Sequence, residues 1–189
     1  MEFLYFLLLL IAGIISVVAI VISVVFIYLT VNAGFMNTSP SVPSSGKVRD
    51  ALISDVAARL EKSTESLTVM DLGSGWGTLL LPLAHRFPQH KFVGIEYSRL
   101  PYAVSCLRAR KLANMRFLRQ DFFKTDISSA DIIFLFLLPS TMQKLADKCH
   151  NELTKGTLIY DNRFKLPSTE PAQTISLGSD YYTYYIYEM

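Results

Sequence analysis

The 27 residues from Phe3 to Leu29 form an unbroken stretch without a charged side chain, and most of them are Leu, Ile, Val or Phe. A helix needs about 20 apolar residues to cross the hydrocarbon core of a bilayer, so this stretch is long enough to span it with some tilt. A core helix of a soluble protein normally carries a polar face, which this stretch lacks. We therefore predict a transmembrane anchor over residues 3–29.

A cleaved signal peptide is the main alternative for these residues. Val31-Asn32-Ala33 matches a small-residue cleavage site. However, a signal peptide has an apolar core of about 7–15 residues behind a basic start. This chain begins with Met1-Glu2 and its apolar stretch is much longer, which favours an uncleaved anchor.

The residues after the anchor indicate the domain boundaries and the orientation. Residues 30–46 are rich in Ser, Pro and Gly, which indicates a linker, and residues 47–189 have the size of one domain. Lys47 and Arg49 are the first bases after the anchor, and an excess of bases marks the cytoplasmic side of a span. We predict a single-pass membrane protein whose domain is cytoplasmic.

Charge and cysteine content exclude several classes for this domain. The chain has 18 Lys and Arg against 16 Asp and Glu, which is too balanced for a protein built mainly to hold nucleic acid. Aromatic residues make up 12% of the chain, and a disordered chain would lack them. Cys106 and Cys149 have neither CxxC spacing nor the density of a disulfide scaffold, and no metal site is predicted.

Strand-like and helix-like segments alternate along the domain. A first helix is predicted from about residues 45–46, with an apolar stripe at Val48, Leu52, Val56 and Leu60. Further helices are predicted at 78–86, 99–111 (with apolar Ala103, Val104 and Leu107) and 141–153, and strands at 68–72, 91–96, 115–119, 131–138, 156–160, 172–177 and 181–187. This order predicts an α/β, Rossmann-like, seven-stranded, mostly parallel sheet. A C-terminal antiparallel hairpin is predicted to turn near Gly178.

Residues 69–77 read VMDLGSGWG, a strand that runs into a glycine-rich turn before a helix. Glycines accept positive φ and let backbone approach a ligand, and a helix start offers unpaired N–H donors. The G-x-G-x-x-G pattern fails because position 78 is Thr, and no G-x-x-x-x-G-K-[ST] loop is present. The remaining pattern is Asp71 followed by Gly73, Gly75 and Gly77. It favours a nucleotide-like ligand with a positive charge, because Asp71 would repel a pyrophosphate.

Two more acids follow the next two predicted strands. Glu96 ends the second strand, 25 residues after Asp71, and in nucleotide-binding α/β folds an acid about 20 residues past the turn accepts hydrogen bonds from ribose. Asp121 follows the third strand, where its carboxylate is placed to accept from an adenine amino group while Phe122 supports the ring. These three acids line the sheet edge where α/β ligands bind.

The segments DLGSGWG, GIE and QDFF, in this order and spacing, resemble those of class I S-adenosylmethionine-dependent methyltransferases over about residues 39–189. The resemblance implies S-adenosylmethionine (SAM) as the cofactor. It implies that Gly73, Gly75 and Gly77 hold the methionine portion, Glu96 the ribose, and Asp121 with Phe122 the adenine. Asp71 and Ser74 are also predicted to be cofactor-binding residues. SPSVPSS, FLFLLP and the short tail most resemble the small membrane-tethered lysine methyltransferases, a group that includes the ATP synthase c-subunit lysine methyltransferases.

This resemblance also implies a mechanism, the transfer of the sulfonium methyl group to a nucleophile. Positioning and dehydration supply most of the barrier reduction in such a transfer. A lysine acceptor must be neutral to attack, and removal from water lowers its pKa, so we expect a mostly apolar acceptor channel. The candidates for its wall are Phe136, Leu137, Leu138 and Pro139, and no catalytic residue is assigned.

Polar side chains outside these motifs receive structural interpretations. His85, His90 and His150 are predicted to lie at the surface. Asp161-Asn162 is interpreted as a turn-forming pair, with a contact to the acceptor as the alternative. The bases Arg108, Arg110, Lys111, Arg116 and Arg119 are interpreted as a solvated helix end, because the domain's small net charge makes a weak field; a surface for anionic lipid or nucleic acid is the alternative.

Together these features predict a membrane-anchored, SAM-dependent methyltransferase that acts on protein lysine. Membrane proteins are the candidate substrates because the anchor raises the local concentration near them, and no nucleic-acid partner is expected. Two alternatives remain open. One is a small-molecule or lipid methyltransferase, and the other is a non-catalytic, membrane-tethered module that binds the cofactor.

Overall fold

A computed structural model of the 189-residue chain describes residues 2–35 and 46–189. The chain divides at about residue 40 into two compact units. Of the predicted linker at 30–46, residues 30–35 continue the first helix and Gly46 begins the second. Residues 36–45 lie outside the described residues, so the linker and the domain boundaries stay predictions.

The first unit contains helix α1, Glu2–Phe35. Its side chains from residue 2 to residue 29 are exposed, and Glu2–Leu29 is long and apolar enough to cross a membrane. The Ser16 and Ser23 hydroxyls donate to main-chain carbonyls one turn earlier, so these polar groups are satisfied within the helix, as lipid requires. A signal sequence near the N-terminus also satisfies this criterion of length and composition.

The second unit alternates helices and strands, as the sequence predicted. Its longer helices are α2 (Gly46–Lys62), α3 (Leu80–Arg86), α4 (Arg99–Ala109) and α5 (Pro139–Glu152). Its strands are β1 (Thr68–Leu72), β2 (Lys91–Ile95), β3 (Met115–Leu118), β4 (Ile132–Leu135), β5 (Leu158–Asn162), β6 (Gln173–Ser176) and β7 (Thr183–Glu188). Short 3₁₀ helices lie at Phe122–Lys124 and Asp180–Tyr182.

Seven strands form one sheet in the order β3-β2-β1-β4-β5-β7-β6. Strands β1 to β5 run parallel to one another, whereas β7 pairs antiparallel with both β5 and β6. The predicted Rossmann-like sheet with a C-terminal antiparallel hairpin is thus confirmed. Strand order reverses between β1 and β4, and ligands of open α/β sheets bind beyond the carboxyl ends of strands at such a point.

Hydrophobic clusters cover both faces of the sheet. On one face α2, α3 and α4 pack against side chains such as Val69 and Phe92. The predicted stripe of α2 is buried there, at Val48, Leu52, Val56 and Leu60. On the other face α5 packs its Leu145 against the sheet cluster that contains Leu72 and Ile133.

Two strands end more than one residue away from the predicted position. β4 stops at Leu135 rather than Leu138 because its pairing with β1 and β5 ends there, and Pro139 already begins α5. β5 is displaced toward its carboxyl end because Gly156 has φ +95° and lies before the strand. Asp161 and Asn162 are therefore buried strand residues, and the turn interpretation is wrong.

Helix α4 faces the core with a side that its apolar residues did not indicate. The helix buries Pro101, Ser105 and Ala109, whereas Ala103 and Leu107, which contributed to the apolar pattern, are exposed. Neighbouring elements decide which side of a helix is covered, and the short apolar pattern of α4 carries no information about them.

His90 is buried, contrary to the predicted surface position. Its Nδ1 accepts a hydrogen bond from the Leu67 N–H at 3.0 Å, and its Nε2–H donates to the Leu60 carbonyl at 3.1 Å. The imidazole thus joins the end of α2 to the start of β1, which is a structural role. His85 and His150 are exposed, as predicted.

Candidate cofactor site

The glycine-rich loop leaves β1 in a conformation that favours glycine at three positions. Gly73, Gly75 and Gly77 have φ values of +91°, +52° and +70°, which L side chains rarely adopt. The N–H groups of Gly73 and Ser74 both donate to the Ile95 carbonyl, at 2.9 and 3.0 Å. The loop is thereby fixed to the end of β2. Helix α3 starts at Leu80, two residues later than predicted.

Close packing adds a second reason for two of the glycines. A Cβ at Gly77 would lie 2.6 Å from Cζ of Phe117, and a Cβ at Gly94 would lie 2.4 Å from its Cε1. Gly94 lies in β2 and was not among the predicted site residues. A glycine inside a strand often marks a close approach by another group, and this signal was present in the segment KFVGIE.

Glu96 connects the loop to the start of α4. Its carboxylate is almost fully buried; Oε2 accepts from the Gly75 N–H at 2.9 Å and Oε1 accepts from the Ser98 N–H at 2.6 Å. An ionised carboxylate has about four lone-pair sites. Glu96 can therefore position the loop and still accept hydrogen bonds from ligand hydroxyl groups.

Asp71 and Ser74 give the loop a buried polar lining. Burial, and secondarily the neighbouring charge of Glu96, raise the pKa of Asp71 to about 7. A cationic ligand beside it would favour the ionised carboxylate. The Ser74 Oγ is buried and has no hydrogen-bond partner within the described part of the chain.

Asp121 and Phe122 lie at the same sheet edge, after β3. The Asp121 Oδ1 accepts from the Phe123 N–H at 3.0 Å and so caps the 3₁₀ helix. Phe122 is half-buried, and its ring centroid lies 4.4 Å from that of Phe123. Direct hydrogen bonds join Glu96 to the loop, whereas strand order places Asp121 one strand further away.

Of the residues predicted to form an acceptor channel, Leu137 approaches the loop from the β4 side. Leu137 is half-buried, and its Cδ2 lies 3.4 Å from the position of a Cβ at Gly73. Phe136 is also half-buried, and Leu138 and Pro139 are exposed. An apolar surface therefore adjoins the polar lining of the loop.

Arg108 is a loop contact that sequence reasoning did not identify. Its Nη1 donates to the Trp76 carbonyl at 2.6 Å, which connects α4 to the loop. The two residues are 32 positions apart, and an arginine near the end of a helix carries no sequence signal for such a contact.

A fold of this topology, with a glycine loop between acids at successive strand ends, is that of a SAM-dependent methyltransferase. The structure is similar to that of an RNA methyltransferase from Salinibacter ruber in complex with S-adenosyl-L-homocysteine, with a TM-score of 0.67 and 28% identity. That similarity covers 78% of this chain and 93% of the other. The predicted cofactor, SAM, is thus confirmed.

The family follows from the sequence of the same domain. Residues 71–173 match the ANTKMT methyltransferase domain, and the chain belongs to this family. A protein-lysine N-methyltransferase of Saccharolobus islandicus (strain REY15A) is 28% identical over 153 residues, which cover 78% of this chain and 92% of that protein. The ATP synthase c-subunit lysine N-methyltransferase of Caenorhabditis elegans is 28% identical over 170 residues, 86% of each protein.

Proposed function

We propose that this protein is a membrane-anchored enzyme that methylates lysine side chains of proteins, with SAM as the methyl donor. The observation that carries the proposal is the family membership, because the two relatives described above are both named as lysine N-methyltransferases. The apolar surface beside the glycine loop also supports the proposal, because an apolar environment favours the neutral amine that accepts a methyl group.

The loop and its acids suit SAM. Positive-φ glycines leave the backbone open to a ligand, the Ser74 hydroxyl is unpartnered among the described residues, and Asp71 favours a cation. We assign Gly73, Gly75 and Gly77 to the methionine portion, Glu96 to the ribose, and Asp121 with Phe122 to the adenine. When bound, SAM supplies a methyl group on a positively charged sulfur.

The β4–α5 connection is assigned to the acceptor. Leu137 lies next to Gly73 of the loop, and we assign Phe136, Leu138 and Pro139 of the same connection to the channel wall with it. An apolar channel removes water from a lysine, lowers its pKa and so favours the neutral amine. These side chains would also hold the amine in line with the methyl group, and such positioning supplies much of the rate enhancement in transfers of this kind.

The anchor narrows the choice of substrate. A tethered domain meets targets in its own membrane at a raised effective concentration, so we propose a membrane protein as the substrate. The bases that follow α1, Lys47 and Arg49, favour a domain on the cytoplasmic side.

The substrate proposal is tested by following a labelled methyl group from SAM in membranes that contain the full-length chain. We expect the label in acid-stable methyl-lysine of membrane proteins, and a Glu96→Ala variant provides the inactive control. Label confined to lipid, RNA or small molecules would overturn the lysine assignment. Binding of SAM without any transfer would favour a non-catalytic module.

The anchor is tested separately by carbonate extraction of membranes followed by N-terminal sequencing. We expect the chain to stay in the membrane pellet and to retain the residues of α1. A soluble chain that starts after Ala33 would show that the stretch is a cleaved signal peptide.

A further inference from the structure

Basic residues are concentrated in one segment of the domain. Residues 97–120 contain six of the 18 Lys and Arg and none of the 16 Asp and Glu. These bases are Arg99, Arg108, Arg110, Lys111, Arg116 and Arg119, and all six are exposed. The segment forms α4 and the edge strand β3, so the positive charge lies on one side of the sheet.

The exposed face of α4 is apolar at its centre. Leu100, Ala103 and Leu107 follow one another at spacings of three and four residues, which places them on one side of the helix. Leu100 is 41% exposed and Leu107 is 62% exposed. The buried residues Pro101, Ser105 and Ala109 lie on the opposite side.

Bases flank this apolar strip. Arg99 begins the helix four residues before Ala103 and on the same side, and Arg110 and Lys111 directly follow its last residue, Ala109. Arg116 in β3 and Arg119 just after that strand are also exposed and add to the positive charge of this segment. A solvated helix end would explain the charges alone, but it gives no reason for two exposed leucines at the centre of the face.

We infer that the exposed face of α4 is a docking surface for an anionic membrane. Leucines on an interfacial helix enter the boundary between headgroups and acyl chains while flanking Lys and Arg contact lipid phosphates. Charge complementarity favours anionic lipid, and the proposed anchor supplies the bilayer within reach of the domain. The inference therefore rests on the proposed anchor only because the anchor keeps the domain near a bilayer.

Docking through α4 would hold the cofactor site near the lipid surface. The chain enters α4 directly from Glu96, and Arg108 in the same helix donates to the Trp76 carbonyl of the glycine loop. A lysine of a membrane protein that lies close to the lipid headgroups would then reach the site without a separate recognition domain.

The test uses the full-length chain reconstituted in lipid nanodiscs, with an environment-sensitive fluorophore at Ala103→Cys after replacement of Cys106 by Ser and Cys149 by Ala. Nanodiscs of pure phosphatidylcholine are compared with nanodiscs that contain phosphatidylglycerol. The anchor is inserted in both, so the difference reports the docking of α4 alone. A fluorophore at Lys155→Cys, an exposed loop position, is the control.

With phosphatidylglycerol we expect the emission at position 103 to rise roughly threefold, as for a residue that enters the interface. About 0.5 M salt should reverse the rise, because it screens the charges. The paired substitutions Leu100→Ser with Leu107→Ser, and Arg110→Gln with Lys111→Gln, should each remove most of the rise. The matched pair Lys155→Gln with Lys165→Gln should leave it unchanged.

Equal emission in the two kinds of nanodisc would overturn the inference. An equal rise at position 155 would also overturn it, because the response would then not be specific to α4. If RNA oligonucleotides added to neutral nanodiscs produced the same rise at position 103, the surface would be one for nucleic acid instead. Carbonate extraction of the same samples reports loss of the anchor separately, so failure of docking and failure of anchoring are distinguishable.

Discussion

The two halves of the sheet edge are built from different kinds of residues. On the side of β1, β2 and β3, glycines and buried acids form a polar site whose geometry is set by main-chain hydrogen bonds, such as those that Glu96 accepts. On the side of β4 and β5 the surface is apolar, and the nearest buried acid, Asp161, has no hydrogen-bond partner among the described residues. We call the first side the cofactor half and the second side, where we propose that the acceptor binds, the acceptor half. The first offers specific polar contacts and the second an apolar surface.

The largest effect is expected in the cofactor half, from Glu96→Ala. The substitution removes the acceptor for the Gly75 and Ser98 N–H groups and the sites proposed for the ribose. Hydrogen bonds to a charged group contribute about 1.5–3 kcal/mol each, so the Kd for SAM should rise about 100-fold, as measured by isothermal titration calorimetry. Glu65→Ala, at an exposed acid, is the control, and an unchanged Kd for Glu96→Ala would contradict the assignment.

Asp161→Asn tests whether the acid of the acceptor half affects stability rather than binding. Burial raises the pKa of Asp161 to about 8, so the folded state keeps a proton that the unfolded chain loses near pH 4. The contribution of this group to the free energy of unfolding is fully present below about pH 4, and it is lost as the pH rises to about 8. At pH 8 the free energy of unfolding of the variant should be about 2 kcal/mol higher than that of the wild type. At pH 5 this gain in stability should be smaller.

Chemical denaturation at pH 5 and pH 8 measures this difference, with Asp147→Asn on the exposed side of α5 as the control. A gain that did not depend on pH would show that the pKa of Asp161 is not raised in the folded protein. A change in the Kd for SAM would show that Asp161 contributes to cofactor binding.

Leu137→Ala examines the border between the two halves. Loss of the wall contact should lower kcat/KM for the acceptor roughly tenfold through poorer positioning, while the Kd for SAM changes less than about twofold. Leu137→Met keeps the volume and should restore activity. Steady-state kinetics and calorimetry on the same samples separate the effects, and a loss confined to SAM binding would assign Leu137 to the cofactor half.

The smallest effect is a pH dependence within the cofactor half. Because the pKa of Asp71 is raised to about 7, its carboxylate gains a proton as the pH falls and then attracts the cationic cofactor less. The Kd for SAM should rise about fivefold between pH 8 and pH 6, and calorimetry should show a flat profile for Asp71→Asn. An equal pH dependence in that variant would point to a different titrating group.

The cofactor half could be predicted from sequence because its chemistry is local. Gly73, Gly75 and Gly77 lie within five residues of one another, and the acids follow successive strands in a fold whose alternation of elements is itself visible in the sequence. Gly94 escaped the prediction because its role depends on Phe117, which packs from another strand.

The acceptor half could be predicted less well because burial there depends on tertiary packing. Asp161 and Asn162 look like turn residues in sequence, yet β5 extends through them. The exposed side of α4 shows the same limit, since Leu107 is apolar and still faces solvent. No local pattern states which side of a helix the sheet will cover.

The proposed transfer of methyl groups to lysine in membrane proteins can be observed in cells. The measurement is mass spectrometry of membrane proteins from cells that lack the chain, complemented with either the wild type or Glu96→Ala. We expect a lysine whose mass rises by whole methyl groups with the wild type and stays unmodified with Glu96→Ala. Lysines that are modified to the same extent with both chains, or with neither, would contradict it.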